Sequence, residues 1–432
     1  MEKKNKTGDI LVIGFALFAM FFGSGNLIFP SYLGRLVGNY YIAGLIGFMI
    51  TGIGLPLLSV MASAKAGGEF SSITSHVGKT FSVVLLSALV LTIGPFLAIP
   101  RTAATTFEIG IRPFFPHFNS LVAIIIYFAI NLAFVLKPSS IVDIIGKFLT
   151  PILIAILLVL IIKGIVIPIG PKITEHSMEN VFATSILEGY QTMDALGAVC
   201  FGSIIVKSIK AKGYSSTKDC INMALRSSLV AVIGLGVIYG GLMYLGTHTG
   251  NLQGEIEKTA LISTISREIL GSAGSVFLAI AVAVACLTTS IGLTMTVGNY
   301  FSDLTNNKIS YQTVTIITTI VSILVASLGV DTIIGVTGPI LNILYPIIIV
   351  FVLISLVEKT PTNLVYQIPV YTTLVIVLVD ECSKILNMSS VQRIVGLLPL
   401  SSYGFAWIIP AIIAYIIGKV IKPKRGTKTV LE

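Results

Sequence analysis

The chain has 432 residues, 55% of them hydrophobic and only 11% charged, where a soluble domain carries about 25% charged residues. That composition excludes an ordinary soluble domain and reads as a polytopic protein embedded in a lipid bilayer. The net charge of +9 sits in short clusters between apolar runs, so it supplies no basic patch for a nucleic acid.

Apolar runs long enough to cross roughly 30 Å of hydrocarbon, about 20 residues each, recur from end to end. They predict about twelve helices, near residues 10–35, 39–63, 80–108, 120–136, 141–168, 182–206, 222–247, 272–300, 310–328, 333–357, 363–380 and 401–421. No stretch is left over, so residues 1–432 are expected to form a single transmembrane domain. Lys3, Lys4 and Lys6 precede a first run too long for a signal peptide and followed by no small-residue cleavage site, so it is expected to be retained. An even number of spans puts both termini on one side. The same side collects most of the basic residues: the N-terminal lysines, Lys65, Lys79, Lys137, Lys147, Lys207, Lys210, Lys212, Lys218, Arg226, Lys308, Lys359, Lys419, Lys422, Lys424, Arg425 and Lys428. By the positive-inside rule that side is the cytoplasm. The longest external loop then runs from about His248 to Leu270 and carries Glu255, Glu257 and Glu268.

The first predicted helix is interrupted by Gly23-Ser24-Gly25-Asn26, with Pro30 just beyond. Small residues in a span can mean close helix packing, but an amide at mid-span needs partners. An unwound stretch there would also present free N–H and C=O groups to a ligand. The third helix contains Gly94-Pro95, which predicts a kink. Arg101 and Glu108 follow, seven residues apart and about two turns along one face, as an electrostatic gate or as structural ion pairs. The sixth helix is interrupted at Glu188-Gly189-Tyr190-Gln191-Thr192-Met193-Asp194. A carboxylate such as Asp194 costs about 2.5 to 3.5 kcal/mol to insert, so it has a partner or a task. Helices one and six each open a group of five spans, and an odd group size inverts the second group. Matched breaks therefore point to an inverted-repeat transporter, with residues 10–168 as one repeat, 182–357 as the other and 363–421 outside both.

The eighth helix holds Thr288-Thr289-Ser290 followed by Gly292. These hydroxyls either satisfy carbonyls one turn back or supply oxygens to a Na⁺ whose other ligands are carbonyls of the broken first helix. Cys200, Cys220, Cys286 and Cys382 lack metal-ligand spacing and read as free thiols. His76, His117, His176 and His248 are scattered at segment ends, which builds no metal site.

Three stretches, GFALFAMFFGSGNLIFP at 14–30, GPFLAIPRT at 94–102 continuing to FEIG at 107–110, and EGYQTMDAL at 188–196, resemble the bacterial branched-chain amino acid:cation symporter family, within the amino acid-polyamine-organocation superfamily. The resemblance covers essentially the whole chain. It implies an all-α, five-plus-five inverted-repeat fold like that of a bacterial leucine transporter, in the bacterial cell membrane. It also implies import of leucine, isoleucine and valine with Na⁺, and no organic cofactor. Carried onto this chain, Gly23, Ser24, Gly25 and Asn26 line the pocket for the substrate's carboxylate and amino groups, and Tyr190, Gln191, Thr192 and Met193 face them. Thr288, Thr289 and Ser290 match the hydroxyls beside the sodium site, with carbonyls between Phe22 and Gly25 opposite.

The expected activity is therefore Na⁺-coupled symport by alternating access. The rival within the class is a proton-coupled carrier or exchanger with Asp194 or Glu108 as the proton site. An intramembrane enzyme is disfavoured, because no His-Glu-x-x-His motif and no nucleophile with a histidine base is present. A channel would not need matched interruptions in two helices.

Overall fold

The computed structural model describes residues 6–136, 150–175, 178–254 and 256–421. Lys3, Lys4, Lys137, Lys147, Lys422, Lys424, Arg425, Lys428, His176, Glu255 and the expected start of the fifth helix at 141–149 lie outside the described residues.

The described residues are helical and contain no strand. This follows from apolar surroundings, in which each backbone polar group must be satisfied within its own segment. In chain order the helices are α1 (Lys6–Phe21), α2 (Ser24–Val37), α3 (Tyr41–Met49), α4 (Leu55–Lys65), α5 (Phe70–Thr74), α6 (Lys79–Leu91), α7 (Ala98–Thr105), α8 (Ser120–Val135) and α9 (Thr150–Val166). They continue with α10 (Val181–Tyr190), α11 (Asp194–Ala211), α12 (Thr217–Thr247), α13 (Lys258–Leu304), α14 (Tyr311–Ala326), α15 (Val330–Val357), α16 (Asn363–Ile385), α17 (Ser389–Gly396) and α18 (Ile408–Val420). Wider π-type turns join α3 to α4 at Ile50–Gly54, join α6 to α7 at Thr92–Phe96, and follow α7 at Thr106–Ile111. The expected kink falls in the second of these, where Pro95 lacks an N–H and Gly94 leaves helical geometry at φ −84°, ψ −122°.

Both expected interruptions are present. α1 stops at Phe21 and α2 starts at Ser24, with Gly23 extended between them. α10 stops at Tyr190 and α11 starts at Asp194, with Met193 in the left-handed region at φ 61°, a conformation that costs a side-chain-bearing residue about 1–3 kcal/mol. Two other expectations are corrected. Residues 248–270 are not all loop, because α13 already begins at Lys258 and bends at Gly271 (φ 69°); Thr259, Leu261, Ile262, Ile265 and Ile269 on its first limb are buried. The last helix begins at Ile408 rather than near 401, since Leu400 and Gly404 take positive φ and turn the chain.

α1 and α2 pack on α12, α3 packs on α10, and α4 packs on α11 and α12. Passes one, two, six and seven thus form an inner bundle that contains both breaks. α13 packs on α7, α9, α14 and the Thr106–Ile111 turn as a surrounding scaffold, and α16 pairs with α15 and α18 at the edge. The α2–α12 crossing depends on two glycines. A Cβ on Gly34 would lie 2.0 Å from the Met243 carbonyl oxygen, and one on Gly246 2.0 Å from that of Ser31. Backbone cannot yield as a flexible side chain does, so Gly34→Ala is expected to cost about 3 kcal/mol. The check is the apparent melting temperature of the detergent-purified variant; an unchanged value would mean that the two helices slide apart freely.

Candidate functional site

The site forms where the two breaks face each other. Without a helical acceptor in register, the Gly23 N–H donates to Asn26 Oδ1 at 2.8 Å, so Asn26 closes its own break. The other end of the amide crosses to helix six: Asn26 Nδ2 donates to Asp194 Oδ2 at 2.6 Å and also to the Tyr239 hydroxyl of α12. That hydroxyl in turn donates to Asp194 Oδ2 at 3.2 Å. Asn26, Asp194 and Tyr239 are all buried. Asp194 is the first residue of α11, where a helix N-terminus favours negative charge.

A second link of opposite charge joins the same breaks. Arg101, on α7 and 2% exposed, donates from Nε to Ser24 Oγ at 3.2 Å and from Nη1 to the Gln191 carbonyl at 2.9 Å. The Gln191 carbonyl lies at the C-terminal end of α10, the negative end of that half-helix. Arg101 also sits 5.4 Å from the Phe29 ring centroid. Lys258, at the start of the α13 limb, lies 5.4 Å from the same ring and 4.8 Å from that of Tyr32. Such contacts contribute about 0.5–2 kcal/mol, and here they hold the limb across the bundle. At the end bearing the N-terminus, Asp9 of α1 pairs with Lys212 at 2.9 Å and accepts from Tyr214 at 3.0 Å.

The cavity there has a volume of about 30 Å³. Met20, Phe21, Ile93, Ala98, Met193, Phe201 and Leu293 make it apolar, while Ser24, Asn26, Arg101, Thr102, Thr192, Asp194 and Thr289 give it polar points. Of the expected substrate residues, Gly23, Ser24, Gly25, Asn26, Thr192 and Met193 line it. Gln191 contributes its carbonyl to Arg101, and its buried Oε1 has no hydrogen-bond partner among the described residues. Tyr190 turns away and stacks on Tyr345, with ring centroids 4.1 Å apart.

The three hydroxyls of helix eight do three different things. Thr289 Oγ1 donates to the Phe22 carbonyl at 3.3 Å, across the junction between α13 and the first break. Thr288 donates to the Ala285 carbonyl at 2.8 Å. Ser290 accepts from Asn131 Nδ2 of α8 at 2.6 Å. Phe22 and Thr289 are thus brought together, Gly25 lies under Arg101, and Ser290 faces α8. Arg101 and Glu108 do not meet: Glu108 accepts from Thr259 at 2.8 Å and from the Val330 N–H at 3.1 Å. Glu188 is half-buried. Tyr239, Phe201 and Lys258 were missed from sequence; a lone tyrosine or phenylalanine in an apolar span carries no local signal of what it faces.

Two half-helix pairs crossing inside a four-helix bundle, their breaks linked by a buried carboxylate and a buried guanidinium, define a multi-pass membrane transporter of the leucine-transporter-like fold. The solved structure of Mhp1, a nucleobase-cation-symport-1 family transporter, in a closed conformation with bromovinylhydantoin bound, superposes with a TM-score of 0.65 at 14% identity, covering 95% of this chain and 91% of that one. The family profile described as "Branched-chain amino acid transport protein" matches residues 6–425, and the chain belongs to this family, the branched-chain amino acid:cation symporters. The branched-chain amino acid permease BraB of Bacillus subtilis (strain 168) is 36% identical over 96% of this chain and 95% of its own length. The permease BrnQ of the same organism is 38% identical over 99% and 100%. Family and relatives are transporters, not enzymes.

Proposed function

We propose that the chain imports leucine, isoleucine and valine by Na⁺-coupled symport with alternating access, with both termini in the cytoplasm. The family and the two permeases support the substrate class. The observation that carries the coupling is the Phe22 carbonyl meeting the Thr289 hydroxyl beside the cavity. Neutral oxygens from two helices suit a hard monovalent cation, which they can strip of water without adding charge. Phe22, Gly25, Thr288, Thr289 and Ser290 are the candidate ligands, and geometry ranks Phe22 and Thr289 first. An ion there ties the broken helix to the scaffold and favours substrate at Ser24 to Asn26. By linkage the amino acid tightens Na⁺ binding equally, and the membrane potential adds about 2.3 kcal/mol per charge per 100 mV. One methylene changes binding by about 1–3 kcal/mol, so the three substrates compete.

The test is leucine uptake into proteoliposomes under imposed Na⁺, Li⁺ or H⁺ gradients. Accumulation driven by Na⁺ and not by H⁺ supports the reading, and accumulation driven by H⁺ alone overturns it. Counterflow exchange of labelled leucine separates a carrier from a channel. Thr289→Val is expected to raise the Na⁺ concentration for half-maximal uptake about tenfold, the worth of one oxygen ligand at about 1.4 kcal/mol. Ser290→Ala is expected to raise it less, and the opposite order would move the ion toward α8. A second reading, proton coupling, is favoured by Asp194 alone, because it is buried with neutral hydrogen-bond donors.

A further inference from the structure

A second cavity, of about 60 Å³, lies between α10, α15, α16 and the turn leading into α18. Tyr190, which turns away from the first cavity, lines this one. Ile376, Val377 and Trp407 form its apolar wall, and Trp407 is the only tryptophan in the chain.

The polar wall is a built arrangement of charges. Glu381 is 4% exposed, and its Oε1 accepts from Asn342 Nδ2 at 3.3 Å and from Lys384 Nζ at 2.9 Å. Lys384 also pairs with Asp380 Oδ2 at 2.8 Å. Two carboxylates against one ammonium leave a negative charge in excess. Glu381 Oε2 has no hydrogen-bond partner among the described residues. That oxygen keeps accessible surface although the residue as a whole is buried, and Glu381 lines the cavity, so Oε2 is open to a donor that enters it.

We propose that this cavity is a second ligand site, for an aliphatic ammonium compound, with an amino acid's own carboxylate met by Lys384. The ammonium donates to Glu381 Oε2 and neutralises the excess charge, while the aliphatic part packs on Ile376, Val377 and Trp407. The occupant presses on Tyr190, whose neighbour Gln191 gives its carbonyl to Arg101. It is therefore placed to couple to the first cavity, and any such coupling is reciprocal.

Trp407 makes the site directly observable. Full-length protein in detergent, with no ion gradient, is titrated with L-leucine, 3-methylbutylamine and 4-methylpentanoate while tryptophan emission is followed. L-Leucine is expected to change the emission saturably and 4-methylpentanoate to leave it flat. A response to 3-methylbutylamine assigns the site to ammonium compounds generally, and a response to leucine alone assigns it to amino acids. Glu381→Gln, which keeps the side-chain shape, is expected to weaken the response about tenfold or more, as loss of a buried charge-assisted bond does. Ile376→Phe, which fills the space without touching a charge, is expected to do the same. The proposal is overturned by a flat titration in the wild type, by a response to 4-methylpentanoate alone, or by a response that neither cavity variant moves. Because no gradient or uptake enters the measurement, failure here is distinct from failure of the symport reading.

Discussion

Arg101→Lys is expected to lower the initial rate of leucine uptake about a hundredfold, with the protein still folded. One guanidinium bridges Ser24 of the first break and the Gln191 carbonyl of the second while lying over Phe29. A lysine ammonium is a point charge on a flexible stem and cannot hold two acceptors and a ring in that fixed geometry. At least one buried acceptor is then left without its donor, a penalty of about 1–3 kcal/mol, and hydrogen bonds to a charged group are worth about 1.5–3 kcal/mol each. A loss near 3 kcal/mol corresponds to roughly two decades in rate. Retaining the positive charge near Asp194 limits the damage to the fold. The measurement is labelled-leucine uptake per reconstituted protein, with monodispersity in detergent as the control for folding. Wild-type uptake in the variant would mean that the two breaks hold their alignment without the clamp.

Much of the architecture was legible because hydrocarbon imposes it. Span positions follow from apolar length, and both breaks were visible as glycine and polar residues where a helix would not choose them. The first α13 limb was also readable in principle. Leu261, Ile262, Ile265 and Ile269 recur at helical spacing, and the charged residues around them drew attention away from that pattern. Pairings between helices were not legible. Asn26 and Asp194 are 168 positions apart, and no periodicity records which faces of two helices meet. The hydroxyl run shows the same limit at smaller scale. Thr288, Thr289 and Ser290 look equivalent in a string of letters, but successive residues on a helix are rotated by about 100°. Three neighbouring hydroxyls therefore point in three directions, and only Thr289 reaches the Phe22 carbonyl. Tyr190, which the resemblance placed opposite the first break, does not line the first cavity and stacks its ring on Tyr345.

Asp194→Asn is the change with the larger expected effect, and it separates the two coupling readings. The carboxylate accepts from Asn26 Nδ2 and from the Tyr239 hydroxyl through the same oxygen. An asparagine can keep one such acceptor, but its NH₂ brings donors into a place where donors already converge. Tyr239 can rotate its hydroxyl to accept. Asn26 cannot turn its amide without breaking the 2.8 Å bond that closes the first break. Loss of the negative charge also leaves two buried donors without their charged acceptor, a penalty of about 1–3 kcal/mol each, and it weakens the field around the buried Arg101, which makes no direct ion pair with Asp194. Uptake is accordingly expected to fall by more than about a hundredfold, with a smaller fall in the amount of folded protein, because Asn preserves the volume. The informative comparison is between gradient-driven accumulation and leucine–leucine counterflow in the same proteoliposomes. If Asp194 holds the broken helices in register, both collapse together, since each needs the assembled site. If Asp194 carries the coupled proton, neutralising it fixes one protonation state: exchange survives, while accumulation and its dependence on pH disappear. Surviving counterflow would therefore transfer the coupling from the Phe22–Thr289 junction to the carboxylate.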